Sequence, residues 1–212
     1  RLRITSNGTV IVKTNGMNLE NATATNSRGY SITNAAGSTG WTFGNGITAS
    51  SHQFVIYDNT AGAARLTIAS NGAVTKPSQP AFSAKGTTDA ISAGSPLPYD
   101  STDYNNGNHY NTSTYKFTCP VAGYYYVTCH VVPTGFSSSN QNVELYIKNT
   151  AGTRLFLDRK VKTNNYASNN FSVGGSRIVY QAANTDLWVE FNSISGSPTL
   201  EGSSHFGIML MA

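Results

Sequence analysis

The chain has 212 residues and a mass of 22.6 kDa, carries a formal net charge of +4, and contains 11% charged against 39% hydrophobic residues. That length suits one or two domains with a core, and the charged fraction is under half of the ~25% usual in soluble proteins. Helical bundles and coiled coils need Ala, Leu, Glu and Lys in bulk and are excluded, as is a largely disordered chain, because Ser, Thr and Asn supply roughly a third of the residues and aromatics another 11%.

Arg1 begins inside a patterned segment with no initiator Met, so the sequence is expected to be the C-terminal piece of something longer. Its first ten residues, from Arg1-Leu2-Arg3-Ile4 to Ser6-Asn7-Gly8-Thr9-Val10, return as Arg65-Leu66-Thr67-Ile68-Ala69-Ser70-Asn71-Gly72-Ala73-Val74. Each copy reads as a hairpin, with Asn-Gly supplying the positive φ angles of a tight turn. Short polar strands and Gly-rich turns lie between, such as residues 40–46, and Gln53 to Asn59 makes the best strand. Large apolar residues are sparse before position 75. Residues 1–75 are therefore predicted to be a β-rich fibrous shaft, in which copies from several chains wrap one axis and share their few apolar side chains.

Pro77 and Pro80 make residues 76–79 a linker. Beyond it the strand-like runs lengthen: Tyr115 to Cys119, Tyr124 to Val132, Val143 to Asn149, Arg154 to Val161, Phe171 to Gln181, Leu187 to Asn192 and Phe206 to Met211. Short strands without a helical interlude predict an antiparallel sandwich or barrel over residues 80–212, its last strand tucked into a sheet. Leu187, Val189 and Phe191 alternate onto one face, while Tyr124 to Cys129 is heavy on both, which suits a strand buried once in a core and once between subunits.

Arg154, Arg159, Lys160 and Lys162 are the only local gathering of cations, read as guards of a strand edge, with contact to an anionic glycan as the alternative. No run reaches the length of a nucleic-acid arm, no apolar stretch approaches a membrane span, and no signal peptide opens the chain. Cys119 and Cys129 would stand ~30 Å apart on a straight strand and are read as two buried free thiols, although Pro120 and Gly123 leave a bent, bonded path open. No CxxC or other metal spacing accompanies them.

Several motifs in residues 80–212 resemble the globular head of the C1q/tumour-necrosis-factor superfamily. Pro80-Ala81-Phe82-Ser83-Ala84 is similar to that family's first strand. Tyr110-Asn111, then Tyr115-Lys116-Phe117-Thr118-Cys119-Pro120-Val121-Ala122-Gly123-Tyr124-Tyr125-Tyr126-Val127, resembles its central signature, and Cys129-His130-Val131 its aromatic-His-Val ending. Phe206-Gly207-Ile208-Met209-Leu210 resembles the closing strand, with the Gly displaced to follow the Phe directly. The resemblance implies an all-β, ten-strand jelly-roll head that forms a homotrimer. The Arg-Leu-x-Ile-x-Ser-Asn-Gly hairpin resembles repeats of bacteriophage tail fibres, in which a shaft carries a compact C-terminal tip.

No constellation of catalytic residues emerges, so the protein is expected not to be an enzyme and to need no cofactor. Of ten carboxylates, Asp100 and Asp103 are the densest pair; they are predicted to cap turns of a loop. A calcium ion, implied by the resemblance in some members, is not expected, because Asn164, Asn165, Asn169 and Asn170 bring no charge to the loop that would hold it. His130 is read as a packed strand residue, and His52, His109 and His205 lie far from it in sequence. Binding is the better reading. Tyr99, Tyr104, His109 and Tyr110 stand among Asp100, Asp103, Asn105, Asn106 and Asn108, and Tyr166 stands between Asn165 and Asn169; aromatic faces stack on sugar C–H groups while carboxylates and amides bond hydroxyls. The competing reading places these tyrosines over a sandwich end or a trimer seam.

The expected function is that of a trimeric, extracellular virion fibre or appendage protein, whose head binds a glycan or protein receptor on the host surface. Other virion proteins would attach through the missing N-terminal part. The alternatives are a purely structural trimerisation or decoration head and a secreted bacterial adhesin or lectin of the same fold.

Overall fold

The computed structural model describes residues 2–4, 10–12, 28–33, 40–47, 52–135, 141–162, 171–194 and 196–211. In chain order its strands are β1 (Leu2–Ile4), β2 (Val10–Val12), β3 (Arg28–Thr33), β4 (Gly40–Asn45), β5 (Phe54–Asp58), β6 (Ala63–Ile68), β7 (Val74–Thr75), β8 (Ala81–Lys85), β9 (Ser101–Asn106), β10 (Tyr110–Asn111), β11 (Lys116–Thr118), β12 (Gly123–Val131), β13 (Pro133–Thr134), β14 (Gln141–Asn149), β15 (Arg154–Lys162), β16 (Val173–Gln181), β17 (Asp186–Phe191), β18 (Thr199–Leu200) and β19 (His205–Leu210). Among the described residues there is no helix. Two compact units divide the chain, Arg1–Ser78 and Gln79–Ala212.

In the first unit, β1 and β2 pair antiparallel, and β3-β4-β5-β6-β7 form a meander. The turn between β6 and β7 is set by Asn71 and Gly72. Asn71 Oδ1 accepts from the Ala73 amide at 3.0 Å, and Gly72 takes a φ of +84° that an L side chain would resist. The Arg that opens the repeat has a partner: Arg65 donates through Nη2 at 2.8 Å and Nε at 3.2 Å to Asp58 Oδ2. The other oxygen of Asp58 accepts from the Thr60 and Ala61 amides and so holds the β5–β6 turn. Val55 is the one fully buried side chain among residues 29–32, 40–47 and 52–78, while Tyr30, Ile32, Trp41, Phe54, Ile68 and Val74 are exposed.

The second unit is a ten-strand sandwich of two five-stranded antiparallel sheets, β10-β11-β17-β14-β15 and β16-β12-β19-β8-β9, with β13 and β18 as a small extra pair. Alternation builds it. Tyr125, Val127 and Cys129 of β12 point inward, as do Leu187, Val189 and Phe191 of β17, and meet side chains of the other sheet. At the centre, Phe82 stacks on Tyr110 at 4.2 Å and 7°, and Phe206 meets it edge-on at 5.0 Å. Both cysteines are buried free thiols, Cys119 just past β11 and Cys129 in β12; burial pushes each thiol up to about 12, so neither is a ready nucleophile.

One expectation is corrected. Residues 101–106, read from sequence as part of a loop whose carboxylates cap turns, form the edge strand β9. Its register shifts between Ser83 and Ala84, so that Tyr104 opposes Ser83, Thr102 opposes Ala84, and Asp103 is the extra, bulged residue. Polar edge strands with a bulge have no clean alternation, which is why the pattern hid it.

Candidate functional site

The sequence-predicted site residues are scattered by the fold. Tyr99 is 0% exposed and lies in the core, tilted against Phe206 at 5.5 Å, and its backbone carbonyl accepts from the Tyr110 hydroxyl at 2.7 Å. It presents no face to a ligand of this chain. Its own hydroxyl and Asp100 Oδ1 are buried without a hydrogen-bond partner, while Asp100 Oδ2 accepts from Thr87 at 2.6 Å. Asp103 accepts from Ser83 at 3.1 Å and stands 3.8 Å from Lys85. Tyr104 is 52% exposed. His109 lies beyond the far end of β9, edge-on to Phe117 at 6.1 Å, and burial lowers its pKa. Tyr166 falls outside the described residues. Asp103 and Tyr104 thus remain together on the edge strand; the others are held elsewhere.

Tyr104 belongs to a larger surface. Because Tyr104 opposes Ser83, Ser83 opposes Gly207 and Gly207 opposes Thr128, these side chains share the outer face of β16-β12-β19-β8-β9. A shallow pocket of about 120 Å³ there is lined by Tyr104, Tyr126, His205, Met209 and their neighbours. The next rows carry Tyr124, Tyr180, Ile178 and Met209, large apolar groups left in solvent at 49–61% exposure. At the opposite end of the face, His130 of β12 stacks on His205 of β19 with 5.5 Å between ring centroids. The strand pattern reads His130 as a packed residue; it is half-buried and faces outward.

The outer face of the other sheet carries a charged cluster that the sequence reading missed. Glu190 is fully buried and accepts from Trp188 Nε1 at 3.0 Å and from Arg154 Nε at 2.9 Å, with Lys148 at 3.4 Å. Lys116 and Lys148 cover the Trp188 ring at 4.5 and 5.5 Å. Alternation of β17 put Trp188 and Glu190 on one face, which was a signal; their partners on β11, β14 and β15 left none. Among the described residues no group of three or more His, Cys, Asp or Glu side chains could hold a metal ion.

Comparison with known proteins agrees with this architecture. The family described as C1q domain matches residues 81–207. Complement C1q and tumor necrosis factor-related protein 9B of Homo sapiens is 35% identical over 95 residues, which cover 45% of this chain and 26% of that protein. The chain thus spans about a quarter of the length of that curated relative. Among solved structures, the globular domain of zebrafish complement 1qA protein matches at 19% identity and a TM-score of 0.48, covering 63% of this chain and 98% of that one. Eiger TNF from S. frugiperda matches at 13% identity and a TM-score of 0.50, covering 63% and 93%, a likeness of fold alone.

Proposed function

The chain belongs to the C1q domain family through residues 81–207, and from that premise we propose that it is a trimeric virion fibre or appendage protein. Its head binds a receptor on a host cell surface, a glycan, while residues 1–75 serve as shaft. Domains of this fold form homotrimers. The observation that carries the assembly is the outer face of β16-β12-β19-β8-β9. A patch with Tyr124, Ile178, Tyr180 and Met209 in solvent is costly on a lone head and gains by burial against copies of itself. The shaft reading rests on the repeat and on a meander with exposed Ile32, Trp41 and Phe54.

Tyr104 and Asp103 lie on the edge strand of that face, at its rim, where a ligand could meet an aromatic ring and a carboxylate near a neighbouring copy. Three such sites per fibre make weak single contacts sufficient. The test is adsorption of labelled protein to bacterial cells and to a panel of immobilised glycans, beside its Tyr104→Ala and Tyr166→Ala variants. Weakened binding in Tyr104→Ala, with the fold intact, supports the rim site, weakened binding in Tyr166→Ala alone moves the site away from the rim, and unchanged binding in both removes it. A purely structural head is the second reading, favoured by Tyr104 sharing the face of the seam residues. Particles lacking residues 80–212 decide: normal adsorption without the head makes it structural.

A further inference from the structure

The stacked histidines have no part in the reading above. His130 and His205 are directly opposed in the antiparallel register, 23° from parallel, and both point out of the face that carries Tyr124, Tyr126 and Met209. Lys85 of β8 stands opposite His205, and Asp103 of β9 stands beside Lys85. On the other flank, Asp158 and Lys160 of β15 share with His130 an open groove of about 430 Å³. The neighbouring β16 contributes Gly174 and Ser176, neither of which titrates. Among the described side chains, Lys85, Asp103, Asp158 and Lys160 are the other charges around the two imidazoles.

We infer that this face is a seam between copies of the chain that opens on acidification, because protonation of the stacked imidazole pair adds positive charge to each chain where the copies meet. The inference rests on the trimer reading. Two imidazolium rings in a stacked pair repel, and removing them from water in a seam adds a desolvation cost that a free head avoids. The assembled state then binds fewer protons than the separate heads, so by linkage assembly weakens as pH falls through the histidine range near ~6.5. His205 shows the direction within one head: burial first, then His130, lower its pKa, against the pull of Asp103.

The test is the dissociation constant of the trimer of the full chain, by sedimentation velocity at about pH 8 and about pH 5.5 at one ionic strength. The unaltered chain is expected to show a rise of ~10-fold or more on acidification. The double variant His130→Gln/His205→Gln is expected to lose that ratio, each single variant to give an intermediate one, and His52→Gln, in the other unit, to keep it. A ratio that survives in the double variant, or a constant indifferent to pH in the unaltered chain, overturns the acid-sensitive seam and leaves the trimer standing. A chain monomeric at both pH values overturns the trimer and the seam together.

Discussion

At the scale of single residues, Glu190 is the buried side chain on which contacts from Trp188, Arg154 and Lys148 converge. Burial pushes its carboxyl up, but the hydrogen bonds from Trp188 and Arg154 and the charge of Lys148 outweigh that, and the net direction is down from 4.5. A carboxylate whose folded pKa is depressed contributes stability that is complete above its unfolded pKa and is lost as pH falls through the folded one. Acid unfolding of the head is therefore expected to set in below pH 4.5 and to flatten in Glu190→Gln. The same variant leaves Arg154 and Lys148 without their counter-charge. Since both cations are partly solvated, the loss is about 2 kcal/mol, below the cost of breaking a fully buried pair, and a urea midpoint that does not move would refute it. The candidate site was legible only in part at this scale. Tyr99 and Tyr104 look alike in sequence, five residues apart in one polar, aromatic stretch, yet one is packed against Phe206 and the other stands in solvent. What separates them is the course of the chain between β8 and β9, which no local pattern encodes.

At the scale of elements, β12 and β16 show how close two strands must come. A Cβ at Gly174 would lie 2.5 Å from the Cys129 carbonyl oxygen and 3.0 Å from the His130 Cα, and neither backbone atom can step aside. At Gly175 the nearest atom is the Leu157 carbonyl oxygen at 3.6 Å, an ordinary contact. Gly174→Ala is expected to cost about 1–3 kcal/mol and several degrees of thermal midpoint, while Gly175→Ala stays within a fraction of that. Equal effects in a melting series would mean that β16 adjusts freely. Strands with large side chains on both faces, β12 above all, were legible nearly to their ends, and the alternation of β17 gave its inward row. β9 was not, because an exposed edge with a bulge at Asp103 needs no apolar period. The Arg of the repeat is legible as a repeat but not as a clamp: that Arg65 ties down Asp58 follows from the β5–β6 register alone. Arg65 lowers the Asp58 pKa, with the Ala61 amide assisting, so this turn is fully held above pH 3.8 and loosens as pH falls below it. In Arg65→Gln, hydrogen exchange of the Thr60 and Ala61 amides is expected to quicken, and unchanged protection would show that the turn holds without the clamp.

At the scale of the whole molecule, both units leave apolar groups in water, and burial against further copies of the chain would relieve both deficits. A sheet with Val55 as its one fully buried described side chain has little to hold it as a single copy, and the head's outer face exposes Tyr124, Ile178 and Tyr180 in adjoining positions of β12 and β16. On a lone head, an aspartate at an exposed strand position costs little. In a seam it would bury an unpaired charge from every copy at once, a penalty that multiplies with the symmetry. Tyr124→Asp/Ile178→Asp is therefore expected to lower the solution mass from near three times 22.6 kDa to 22.6 kDa at micromolar concentration, with the β-sheet circular dichroism retained. A trimer that survives both aspartates would move the seam to another face. If the variant is monomeric, its adsorption to cells should fall by far more than any change at one site could cause, on the order of 10²-fold, because the avidity of three linked tips is lost with the assembly. A monomer that adsorbs as well as the trimer would show that one head suffices, and a three-fold form would then serve reach and stiffness rather than grip.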